Sequence, residues 1–277
     1  VLLISAILVQ FSTIPWAKAQ DKIRMHKVVA PSALLTEKEK EIELIENYGS
    51  FSLYRVSEAV LTNIPSKVGA QIRIADEMDT ILLDAYPFNT QTDTLDVPAE
   101  LKITGVQDKA LQLIQFVGPI KAEWLQAVKE TGAALVHYIA NNAYLIWSDS
   151  TSRARLDILP DSKGFIQYSG LYERYFKYGS SLRTPGLQQK DPEEAVTVTI
   201  QIYAHEQKAK SQQIIDNLTL KELVPWHNIL AYQNSTVTVR AGDLPTIAHL
   251  PDVYWIGEYF DRELFDEVQG QLVAGNF

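Results

Sequence analysis

The chain has 277 residues, a net charge of -9, no cysteine and 46% hydrophobic residues. That length fits about two domains of ~100–200 residues each, and 21% charged with 10% aromatic residues is not a disordered composition. The missing cysteines exclude a disulfide scaffold, a thiol nucleophile and a thiolate metal site, and the acidic balance argues against nucleic acid, which needs clustered Lys and Arg.

Residues Val1 to Trp16 are nearly free of charge, and Ala17-Lys18-Ala19 follows before Gln20. An apolar stretch ending in A-x-A predicts a signal peptide over 1–19, and hence a secreted protein with no membrane anchor after cleavage. The stretch begins at Val1 with no basic leader, so the signal reading expects the true start upstream. Residues 20–48 read as a polar lead. Within it Thr36 to Glu46 carries a helical pattern, with Thr36 and Glu39 as a capping box. Residues 49–105 read as a small α/β segment and connector. Phe51 to Arg55 is a strand, Ser57 caps a helix over Glu58–Ile64 that Pro65 stops, and Ala70–Ala75 and Thr80–Tyr86 are strands about a hairpin turn at Asp76–Asp79.

An internal repeat follows. In the first copy, residues 106–178, Leu111–Val117 is a β-rich run and Lys121–Thr131 an amphipathic helix. Ala134–Ile139 and Ala143–Trp147 are strands joined at Asn141-Asn142, a short helix ends at Leu159-Pro160-Asp161, and Phe165–Tyr168 is the last strand. Residues 179–195, rich in Gly, Ser, Pro and charge, read as a linker. The second copy, residues 196–262, repeats the order. Val196–Tyr203 is a strand and Ala209–Leu218 a helix. Strands Leu223–Tyr232 and Thr236–Arg240 meet at a turn on Asn234-Ser235, a short helix ends at Leu250-Pro251-Asp252, and Val253–Ile256 closes the unit. Leu113–Phe116 registers with Thr199–Ile202, and the two Leu-Pro-Asp triplets register with each other. Each copy reads β-α-β-β-α-β. The fold class is therefore α+β: two tandem ferredoxin-like βαββαβ modules, antiparallel sheets with helices on one face, preceded by a small α/β segment. Residues 263–277 form a tail.

Catalytic signals are weak. The five histidines show no i, i+4 ligand spacing, and no G-x-S-x-G elbow, phosphate loop or G-x-G-x-x-G turn occurs. No catalytic residue, metal ligand or cofactor is expected from this chain alone. Asn217 and Asn234 each start a glycosylation sequon, a match common by chance. Aromatic residues crowd the repeats. Most read as core, whereas Tyr172, Tyr175 and Phe176 extend past the last strand of the first module and suit an interface between modules or with a partner.

Leu111 to Trp147 resembles the region before the catalytic domain in large secreted bacterial subtilisin-like serine peptidases. Glu46–Glu58 and Ile74–Thr90 resemble the lead region of the same group, and Leu250–Phe277 is similar to the junction at which such prodomains run into the protease. The glycine-rich contexts of the Asp, His and Ser of a subtilisin-like enzyme do not occur, so no catalytic residue carries over. The resemblance implies an N-terminal prodomain region whose partner is a cognate subtilisin-like protease domain, expected downstream of Phe277. In that family a ferredoxin-like propeptide packs its sheet on the protease, templates folding and inhibits until cleaved. The second module is the candidate for that role, with Tyr259, Phe260, Leu264, Phe265 and Val268 in a cleft-directed tail. The alternatives are a free-standing secreted binding or inhibitor protein and a small-molecule sensor. The second is disfavoured by the signal peptide and by the lack of a glycine-rich ligand turn.

Overall fold

The computed structural model describes residues 23–38, 40–83, 86–93, 98–103, 108–183 and 189–260. The expected signal peptide, Glu39 of the expected capping box and Leu264, Phe265 and Val268 lie outside them. The chain divides into two compact units, with the boundary along the sequence between Ile74 and Ala75.

The first unit holds strands β1 (Met25–Pro31), β2 (Ile42–Asn47) and β3 (Phe51–Ser57), helices α1 (Glu58–Asn63) and α2 (Ser66–Gly69), and the short strand β4 (Arg73–Ile74). Ser57 caps α1 as expected, its hydroxyl accepting from the Val60 N–H at 3.3 Å. The helix expected over Thr36–Glu46 is absent. The chain turns at Lys40 with a positive φ of 63° and enters β2, which pairs antiparallel with β3. Local helical spacing lost to sheet pairing, because Ile42 packs on the core of Val28, Ala30, Tyr54 and Val56. The sheet order is β2-β3-β1-β4, so the expected boundary between residues 48 and 49 falls inside one sheet.

In the second unit an arm precedes the repeat. Asp76–Asp79 forms a 3-10 turn rather than a hairpin, and β5 (Thr80–Ile81) pairs with β6 (Phe88–Asn89). The first module follows as β7 (Lys109–Phe116), α3 (Ala122–Glu130), β8 (Ala134–Ile139), β9 (Ala143–Asp149), α4 (Ser150–Lys163) and β10 (Ile166–Leu171), with α5 (Arg174–Lys177) after it. The β8–β9 turn sits at Asn141 and Asn142, both with positive φ, a conformation asparagine tolerates. Helix α4 runs past Pro160 to Lys163, two residues beyond the expected stop at Leu159-Pro160-Asp161. The second module is β11 (Ala195–Tyr203), α6 (Ala209–Leu218), β12 (Lys221–Ile229), β13 (Tyr232–Arg240), α7 (Leu244–His249) and β14 (Val253–Glu258).

Both modules are antiparallel four-stranded sheets with the same order, β10-β7-β9-β8 and β12-β13-β11-β14, the ferredoxin-like arrangement. The first unit's sheet has this order too, with a loop in place of the first crossover helix. Two expectations shift within the second module. Asn234 and Ser235 are buried inside β13, and the hairpin reverses at Leu230 instead. The linker is partly core, since Leu182 joins Tyr178 in the cluster of Val198, Ile200, Ile215 and Ile256.

The two modules differ in what covers the sheet face away from the helices. On β7, Ile114 and Phe116 face α3, where Phe116 stacks on Trp124. The alternate residues Leu111 and Leu113 pack with Ile81, Leu83 and Phe88 of the arm. Both faces of β7 are buried, which is why its sequence is a continuous apolar run. On β11 only Val196, Val198, Ile200 and Ile202 are buried, and Thr197, Thr199 and Gln201 are half-buried on the other face.

Candidate functional site

The junction between the modules is built on α5 and the loop before β14. Lys177 is fully buried, and its ammonium donates to the Leu250 carbonyl at 2.7 Å. Desolvation pulls its pKa down from 10.5 to about 7, against the nearby carboxylates of Asp252 and Glu173, with Arg174 adding to the fall. Asp252 is buried as well and accepts from Ser211 Oγ at 2.6 Å and from His205 Nε2 at 2.9 Å. The Gln207 N–H donates to His205 Nδ1, which places the ring proton on Nε2, facing Asp252. A serine, a histidine and an aspartate thus meet, but the hydroxyl and the imidazole bond separate oxygens of one carboxylate. The serine proton is directed to the acid rather than to a base, so the trio lacks the order of a nucleophilic triad. It clamps α6 to the loop before β14.

Beside this junction lies a cleft of about 250 Å³, lined by Leu82, Leu83, His137–Ala140, Tyr172, Phe176, Arg183, Tyr254 and Trp255. His137 Nδ1 shares a short hydrogen bond with the Tyr232 hydroxyl, and Tyr232 stacks on Tyr254, which stacks on Tyr172. Burial lowers the His137 pKa and raises that of Tyr232, so the pair is neutral near pH 7. Arg183 lies 3.8 Å from the Tyr86 ring centroid and donates to the Tyr178 carbonyl. The Trp255 indole lies against Gly257. A Cβ at Gly257 would fall within the indole, so only glycine leaves room for this cleft wall.

The half-open sheet face of the second module is the other candidate surface. Its centre is a ladder of hydroxyl pairs, half-buried Thr197 with Thr238 and half-buried Thr199 with buried Thr236, each at 3.0 Å. Ile229 and Tyr232 lie opposite each other at the hairpin end of β12 and β13. At the far end β14 leads into exposed Tyr259 and Phe260.

Of the residues singled out from sequence, Tyr172 and Phe176 are buried with Phe88 and Leu113, and Tyr175 packs partly buried against them and Tyr86. All three lie inside the second unit. Sequence reasoning missed Lys177, Asp252, His205, Ser211 and the His137–Tyr232 pair. The repeated Leu-Pro-Asp triplet was the signal for Asp252, whereas the partners lie 41 to 95 residues apart and leave no local pattern. Asn234 is only 6% exposed, which closes its sequon in the folded chain. Among the described residues no three His, Asp or Glu side chains converge to hold a metal ion, and no helix is long and apolar enough to cross a membrane.

A family described as a domain of unknown function, DUF8729, matches residues 82–172, which span part of the arm and the first module. A comparison with curated proteins finds no match.

Proposed function

We propose that the chain is the N-terminal prodomain region of a secreted subtilisin-like serine endopeptidase, and that its second module is an intramolecular chaperone and inhibitor of the protease domain. The observation that carries this reading is the asymmetry between the modules. The first has its free sheet face roofed by the arm, and the second keeps a half-open, hydroxyl-lined face with the chain running on from β14 through exposed Tyr259 and Phe260. A rigid sheet with one half-buried face offers a preformed surface on which a partner can assemble. The strand leaving its edge can then lie extended in a substrate cleft and exclude substrate while bound. No catalytic group of this chain is needed for either action.

Two measurements test the reading. Sequencing of the coding region past codon 277 is expected to find Asp, His and Ser in subtilisin-like contexts. A stop codon there removes the arrangement in cis. The full chain, added in trans to a panel of secreted subtilisin-type endopeptidases, is expected to give slow-onset inhibition with at least one of them. Absence of inhibition across the panel at micromolar chain overturns the inhibitor role.

A further inference from the structure

The two modules meet along a junction with two unlike ends. At the α5 end, backbone groups hold it. The Leu111 N–H of β7 donates to the Pro251 carbonyl at 3.2 Å, the Gly179 N–H after α5 donates to the Ile256 carbonyl at 2.8 Å, and buried Lys177 holds the Leu250 carbonyl. At the other end, toward the β12–β13 hairpin, side chains make the contact. Tyr203 and Tyr254 of the second module pack on the first module's cluster of Leu111, Leu113 and Trp147. His137 on β8 stands steeply against the rings of Tyr232 and Tyr254, with centroids 5.7 and 5.1 Å away. Its hydrogen bond to the Tyr232 hydroxyl closes this end.

His137 also lines the cleft, so protons reach its ring while the chain is folded. The groups that face it are Tyr232 from β13, Tyr254 from β14 and its neighbour Tyr138, with Tyr172 and Arg183 lining the same cleft. Among the described residues that line the cleft there is no carboxylate, and the charge of Arg183 has the sign of an imidazolium. A neutral ring suits this setting, whereas a protonated one sets a cation among tyrosines with no acid to offset it. We propose that the His137–Tyr232 pair is an acid-operated latch: protonation of His137 parts the hairpin end of the junction while the α5 end holds, and uncovers Tyr232 and Tyr254 on the second module. The inference concerns contacts within this chain and stands apart from the prodomain reading. An open latch extends the half-open sheet face by these tyrosines, so a partner of that face meets more surface in acid than at neutral pH. Burial holds the His137 pKa below 6.5 in the closed junction. Between that lowered value and 6.5 the open junction binds a proton that the closed one lacks, so the closed form is fully favoured above 6.5 and loses ground as pH falls. Each unit of lowering raises the ratio of open to closed by about ten-fold once the ring is charged.

The other titratable groups of the junction belong to its α5 end. Lys177 is faced by Asp252, Glu173 and Arg174, His249 on α7 by Arg174 and Lys177, and His205 bonds Asp252. All are common to the parent and to variants at position 137. The experiment is hydroxyl-radical footprinting of the full chain, read residue by residue by mass spectrometry and corrected for radical dose. From about pH 7.5 to about pH 5, oxidation of Tyr232 and Tyr254 is expected to rise several-fold. Tyr178, 2% exposed in the second module's core, is expected to stay protected. His137→Gln keeps a hydrogen-bonding partner for Tyr232, and His137→Phe keeps a ring. Neither titrates, so in both the two tyrosines should react equally at the two pH values. No rise in the parent, or a rise that survives both substitutions, overturns the latch. Tyr178 losing protection in step with Tyr232 means that the module unfolds rather than undocks, which also overturns it. His249→Gln is expected to keep the rise, and its loss there would move the sensor to the α5 end and refute the assignment to His137.

Discussion

Replacing Lys177 by methionine is expected to stabilise the second module at neutral pH and to lose that advantage in mild alkali. The fall in pKa from 10.5 to about 7, at about 1.4 kcal/mol per unit, is a penalty of about 5 kcal/mol on the buried ammonium. Between these two values the unfolded chain holds a proton that the folded chain has released, so stability rises with pH from about 7 toward 10.5. Below 7 both states are protonated and the whole penalty stands. Methionine removes the penalty, but it leaves the Leu250 carbonyl without its donor, about 1–3 kcal/mol, and takes a cation from beside Asp252 and Glu173. The net effect at pH 7 is a gain of about 1–3 kcal/mol, in line with apolar replacement of buried charges elsewhere. The sharper quantity is the change with pH. Between pH 7 and pH 9.5 the difference between parent and variant should close by about 3 kcal/mol. Urea unfolding at several pH values, followed by tryptophan fluorescence, measures it, because every other titrating group is common to both proteins. Parallel curves with a constant offset would mean that Lys177 keeps an ordinary pKa in the folded chain, and the argument from burial would fail.

Three further outcomes follow from the packing. Asp252→Ala leaves Ser211 Oγ and His205 Nε2 without their shared acceptor and should cost about 2–4 kcal/mol in urea unfolding, with no loss if the clamp is idle. Gln115→Leu removes a buried amide that donates to the Met78 and Asn141 carbonyls and accepts from Thr90 and Gln167. Faster hydrogen exchange over Met78–Thr90 is the expected sign that the arm has loosened, and unchanged exchange would show that its apolar contacts suffice. Gly257→Ala drives a Cβ into the Trp255 ring and should cost about 2 kcal/mol with a red-shifted tryptophan emission. An unshifted spectrum would mean that the indole does not lie on this glycine.

The modules were legible from sequence where periodicity and turn chemistry agreed. Residues 111–117 read as an apolar run because both faces of β7 are covered, and 196–203 alternate because one face of β11 is only half-buried. The Asn141-Asn142 turn was visible because asparagine suits its backbone. The hairpin at Leu230 was invisible for the converse reason, since nothing in Ile-Leu-Ala-Tyr signals a turn. In the first unit the strand at Phe51 and the Ser57-capped helix were legible, whereas the segment through Ile42 was misread because it carries little strand pattern of its own. Ile42 and Leu44 gain their conformation from pairing with β3, not from local spacing. The junction left no trace for a similar reason. Lys177 carries no local signal of burial, which depends on Leu250 and Asp252, more than 70 residues away.

The contrast between roofed and open faces also makes a prediction by substitution. Leu113 on β7 and Thr199 on β11 occupy matching positions in the two copies, on the sheet face away from the helices. Leu113 is fully buried under the arm. A lysine there has to desolvate its charge among Ile81, Leu83 and Phe88, and should cost more than about 4 kcal/mol. Thr199 is half-buried, and its side chain has one hydroxyl partner, Thr236. A lysine at that position can extend its ammonium into water along the face, losing about 1 kcal/mol with the hydroxyl pair. The same lysine stands in the middle of the surface assigned to the protease, where a partner has to desolvate it. Thr199→Lys is therefore expected to fold with nearly the parent's urea midpoint and to lose inhibition by at least about ten-fold. Equal stability losses at the two positions would show that the face of β11 is as covered as that of β7. The asymmetry that carries the functional reading would then be gone. Inhibition retained in a well-folded Thr199→Lys would place the protease contact somewhere other than the threonine ladder.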